Sequence, residues 1–157
     1  MATAAITVPA LIVHVLAAVV WVGGMFFAHQ VLRPSAAALD PQPRLTLWMR
    51  VLDRFFCWVL AAIALLLASG YVLVFGAYGG FRALPLFVEL MQAIGILMML
   101  LFFHLYFAPW RRFRRAVARQ DWLEGGRELA RIRTIVTINL VLGVLVVAIG
   151  GSGRYWS

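Results

Sequence analysis

Four long apolar runs constrain this chain more than anything else in it. They fall at about residues 8–32, 55–77, 86–109 and 134–151. Each is long enough to cross the roughly 30 Å hydrocarbon core of a bilayer, which takes about 20 helical residues. A segment in lipid must satisfy its own backbone hydrogen bonds, so each run is predicted to be a helix. The expected fold is all-α: an integral membrane up-down bundle of four transmembrane helices, forming one domain over residues 1–157 with long loops at 33–54 and 110–133. With 64% apolar and 13% charged residues, little remains for a separate soluble domain. Residues 1–7 carry no basic side chain, and the first run is too long for a signal-peptide core, so it is expected to stay as a span.

Charge supplies the orientation. The basic residues are all arginine, and twelve of the 14 lie in the two long loops. Arg33, Arg44, Arg50 and Arg54 occupy the first. Arg111, Arg112, Arg114, Arg115, Arg119, Arg127, Arg131 and Arg133 occupy the second, leaving Arg82 and Arg154 for the other side. The positive-inside rule then predicts cytoplasmic loops and both termini on the periplasmic or extracellular side. So placed, the net charge of +8 points to anionic lipid headgroups as partners and away from nucleic acid. In the second loop Phe113, Val117, Trp122, Leu129 and Ile132 alternate with arginines. That pattern predicts an interfacial helix, turned at Gly125–Gly126, with its apolar face on the bilayer. Trp58, Trp110, Tyr155 and Trp156 are expected as interfacial anchors.

The residues able to carry chemistry are the polar ones inside the spans: His14 and His29 in the first, Glu89 and His104 in the third. Ionisable groups at such depth are costly and mark candidate sites. Each pair is separated by 15 positions, about 22 Å along a helix and within about 60° of one face. If the first and third helices face each other across the core, His29 meets His104 at the cytoplasmic end and His14 meets Glu89 at the outer end. Two opposed imidazoles suit the axial positions of haem b, with Trp21, Met25, Phe26, Phe103 and Phe107 as walls. Electron transfer with a quinone or a periplasmic redox partner follows from that expectation. Copper is the alternative, because imidazole, thioether and thiolate all suit Cu(I). His14, His29, His104, Glu89, Met25 and the lone Cys57 are its candidate ligands, although the methionines form no closely spaced ladder. A membrane subunit whose histidines only pack helices is the third possibility, and a homodimer is left open.

The first run also carries His14-x6-Trp21-x-Gly23-Gly24, then Met25-Phe26-Phe27 and Arg33-Pro34. With Leu90-Met91-Gln92, Gly95, Met98 and Pro109 in the third run, and Ile132-Arg133, Asn139-Leu140 and Gly143 in the fourth, it resembles the copper-resistance protein D (CopD) family of bacterial inner-membrane proteins. That resemblance implies a copper-linked role facing the periplasm, in a reduced, four-helix version of longer relatives. The same opening resembles HemJ-type protoporphyrinogen oxidases, four-helix proteins that bind haem b, in which His14 would hold the important first-helix position. The chain has no lysine, and Ala28-His29-Gln30 replaces that family's continuation, so haem affinity is implied but oxidase activity is not.

Overall fold

The computed structural model describes residues 2–156, without the side chains of Ala2, Thr3, Ala83 and Arg154. Helix α1 (Ala2–Phe26) passes directly into a π-helical segment, Phe27–Leu32, and then into the short α2 (Arg33–Ala36). After a four-residue connection come α3 (Pro41–Ala77), α4 (Leu86–Phe107), α5 (Pro109–Ala118) and α6 (Trp122–Ser152). No strand occurs among the described residues. Four helical stretches, Ala4–Ala36, Pro41–Ala77, Leu86–Ala118 and Trp122–Ser152, are long and apolar enough to cross a membrane.

Local chemistry explains the breaks. Pro41 takes the first helical position of α3, where its missing N–H is no loss. Gly79 and Gly80 turn the chain out of α3 at φ 70° and 112°, a region that side chains with a Cβ avoid. The Asp121 carboxylate caps α6 by accepting from the Glu124 N–H at 3.0 Å.

Side-chain contacts fix the order of packing. Along α1, Thr7 lies against Gly76, His14 against Gly70 and Gly24 against Phe55, so α1 and α3 run antiparallel. Phe87 meets Gly153, Met91 meets Gly150 and Met98 meets Gly143, so α4 and α6 are antiparallel too. At Gly143 a Cβ would stand 2.8 Å from Val22 and 3.2 Å from Met98, so a bare backbone is what lets α6 wedge between α1 and α4. In lipid, helices associate through such close packing, not by expelling water. The Asn139 amide N–H donates to the Met98 carbonyl at 3.2 Å and ties the same seam.

The arginine-rich end departs from expectation in three respects. Gly125 and Gly126 lie inside α6, and the turn falls at Gln120 (φ 57°) and Asp121, where the aspartate cap is available. The apolar face of the second loop packs on protein: Phe113 and Val117 of α5 and Leu129 and Ile132 of α6 are all buried in the core, because α6 folds back along α5 and α3 closes the other side. Trp110 is likewise buried, edge-on to Phe56 at 5.1 Å, whereas Trp58, Tyr155 and Trp156 are exposed as belt residues would be. In the first long loop, as the spacing of Leu45, Trp48, Met49 and Leu52 leads one to expect, α3 runs on helically from Pro41 into the second span.

Candidate functional site

One face of α1 carries His14, Ala17, Trp21 and Met25, continued by Ala28 in the π-helical segment, and all but the half-buried His14 are buried. His14 Nδ1 lies 3.0 Å from Ser69 Oγ on α3. Ser69 gives its own proton to the Leu65 carbonyl at 2.5 Å, so its oxygen accepts from His14 Nδ1–H. That tautomer leaves the lone pair on Nε2, the form in which imidazole binds a metal ion. Gly70 makes room for the ring, since a Cβ there would stand 3.3 Å from Cε1. Met25 follows His14 by 11 positions, about 16 Å up the helix and within about 20° of the same direction. It is 2% exposed.

His29 sits in the π-helical segment. Single π turns are rare and concentrate at functional sites, because the extra residue re-aims a side chain. His29 Nε2 faces Arg33 Nη1 at 3.4 Å, and His29 lines a small cavity with Arg33, Trp48, Phe55, Ile132 and Arg133.

The structure does not bring His14 to Glu89; the partner of His14 is Ser69 on the neighbouring α3. Helix α4 turns Met98, Phe102 and Leu105 inward. His104 and Glu89 lie well round the helix from that face, and both are exposed. Cys57 is also exposed, its thiol donating to the Asp53 carbonyl at 3.4 Å. Phe103 is half-buried and stacks on Phe107 at 6.3 Å. Among the described residues no three His, Cys, Asp or Glu side chains form a group able to hold a metal ion.

Haem does not fit this arrangement. Trp21 and Phe102 meet edge-on at 6.2 Å across the space where a porphyrin between the first and third helices would lie. Met25 and Met98 fill the core beside them. The diagonal geometry expected from the spacing fails because α1 packs on α3 and α6, leaving His104 on the outside of α4. Sequence reasoning passed over Ser69, though it is the lone serine or threonine in the second apolar run.

Four apolar helices in antiparallel order, with polar side chains facing inward from α1, α3 and α6, define a multi-pass membrane protein. The copper resistance protein D family matches residues 49–152, two thirds of the chain, and the protein belongs to that family. No curated protein and no solved structure matches it. The matched segment runs from within α3 to the end of α6, so α1 with His14, and the π-helical segment with His29, lie outside it.

Proposed function

We propose that the protein moves or buffers copper at a bacterial inner membrane, with the arginine-rich end cytoplasmic and both termini periplasmic. The family match over residues 49–152 carries this reading. The metal is cargo here, and α1 supplies its donors. His14 Nε2 is the entry ligand, held ready by Ser69. The thioether of Met25 on the same face, and the imidazole of His29 beyond it, are donors of the kind Cu(I) accepts. Transfer between few, separated ligands suits cargo, which must leave as readily as it arrives. Haem-based electron transfer, and with it a quinone or other redox partner, finds no support in the packing of the core.

The test compares cells expressing the wild-type chain, His14→Ala or an empty vector, grown in added copper. Total cell copper and growth inhibition are measured. Wild type is expected to shift both relative to the vector, and His14→Ala to return them to vector values. Unchanged copper content in the wild type, with the protein present in the membrane, overturns the reading. An absorption spectrum of the purified protein is expected to show no Soret band; a strong one would restore the haem alternative.

A further inference from the structure

The two ends of the bundle are packed unequally. Helices α1 and α3 lie together from Thr7 against Gly76 to Gly24 against Phe55, and α4 and α6 from Phe87 against Gly153 to Met98 against Gly143. The two pairs meet where Val22 and Met98 flank Gly143. Outward from there, among the described residues, α1 buries nothing before Ala17 and α4 nothing before Met98. Helix α6 likewise buries nothing from Val144 to Ser152. At the arginine-rich end, by contrast, Leu45, Trp48, Phe113, Leu129 and Ile132 close a single core. At the His14 end the pair α1–α3 and the pair α4–α6 therefore share no buried core.

A soft-metal donor stands on each pair. His14 of α1 rests on α3, with Nδ1 toward Ser69 and Cε1 over Gly70. Met91 of α4 rests on α6, where a Cβ at Gly150 would stand 3.3 Å from its sulfur and 3.0 Å from its methyl carbon. Successive spans alternate in direction, so α1 and α4 run the same way, and depth can be counted from the Gly143 contact. His14 lies eight positions out from Val22, and Met91 seven positions out from Met98. Those steps are about 12 Å and about 10.5 Å, which sets the two donors level to within about 2 Å. Met91 also points within about 20° of Met98, which faces inward. Glu89, two positions earlier, is exposed, whereas His14 and Met91 are both half-buried.

We infer that Met91 is the second donor of the entry site, and that a Cu(I) ion held between His14 Nε2 and the Met91 thioether draws the two helix pairs together. The inference rests on the copper reading and adds to it a ligand from α4. The Ser69 contact leaves the Nε2 lone pair free, and a thioether beside it makes the donor set soft enough to select Cu(I). A methionine often serves only to fill a gap in a core, but Met91 lies where no core is buried. The ion exchanges ligands without changing its oxidation state, so no reductant is required.

The full-length protein, purified in detergent without oxygen, is titrated with Cu(I) against a chromogenic Cu(I) chelator, and X-ray absorption at the copper edge detects sulfur ligands. Wild type is expected to bind its first equivalent with sulfur among the ligands. Met91→Leu conserves volume, so the variant is expected to fold. It should lose that sulfur and bind at least about tenfold more weakly, the lower end of the cost of disturbing even an indirect partner of a metal. Met91→His is expected to restore Cu(I) binding and to add affinity for Zn(II), since imidazole suits both metals. A packing role would give neither result. Met49→Leu, on α3 at the arginine-rich end, is expected to match wild type. Unchanged affinity and sulfur signal in Met91→Leu overturn the inference and leave the copper reading standing, with Met25 as the sulfur donor. A wild-type protein that binds no Cu(I) overturns it as well. A Met91 effect on the purified protein, with copper content unchanged in wild-type cells, upholds the site and removes the transport reading alone.

Discussion

Two arginine clusters sit at the same end of the bundle and are neutralised in opposite ways. Between α5 and α6, Arg112 and Arg131 close on Glu128, a carboxylate with no exposed surface. Beside His29 and Trp48, Arg33 and Arg133 line one small cavity, and no ion pair among the described residues involves either of them. The first cluster is a staple. It holds the amphipathic α5 down on α6, in register with the buried Phe113, Leu129 and Ile132. The second has two arginines as well but lacks the counter-charge among the described residues. A chain rich in arginine thus uses one group to fix its own structure and leaves another electrostatically incomplete. The positive-inside pattern alone does not distinguish the two.

The largest effect expected from breaking this contrast comes from Glu128→Gln. It leaves a buried amide where a carboxylate held two guanidiniums, and should destabilise the protein by roughly 1–3 kcal/mol. Thermal unfolding in detergent measures it, and a change indistinguishable from zero would mean that the staple carries no stability. Smaller effects should follow removal of the arginines one at a time. The Arg112 and Arg131 side chains are 51% and 57% exposed, so solvent screens them and each Ala variant should lose about 1 kcal/mol or less. If Arg112→Ala alone matches the loss in Glu128→Gln, the carboxylate serves one arginine and not two.

Much of this architecture is legible in the sequence. The four apolar runs, and with them the four helices long and apolar enough to cross a membrane, follow from composition and period. What was not legible is which helices touch. Spacing places His14 and His29 on one face, and Glu89 and His104 on another, but it does not say that α4 turns its second pair outward. That depends on Gly143 and Asn139 drawing Met98 inward, a tertiary preference with no local signature. The face of α5 was misjudged for a related reason. An amphipathic helix looks the same whether lipid or protein covers its apolar side, and the Asp121 cap that folds α6 back onto it is one residue in a polar stretch. The π turn at His29 likewise has no marker in Phe27–Leu32. It becomes intelligible only once Arg33 and the cavity are seen on either side of the ring.

The comparison is sharpened most finely by giving the second cluster what the first already has. His29→Glu places a carboxylate one turn from Arg33, in the same cavity wall as Arg133. A carboxylate there accepts from the guanidinium and supplies the missing negative charge, so the second cluster becomes a copy of the first. The expected change in stability is small, within about 1 kcal/mol, since a new partly exposed pair contributes little by itself. Thermal unfolding in detergent measures it: loss of the fold would mean that the imidazole holds the π turn in place, and a gain well above about 1 kcal/mol would mean that the second cluster is a structural staple lacking only its carboxylate.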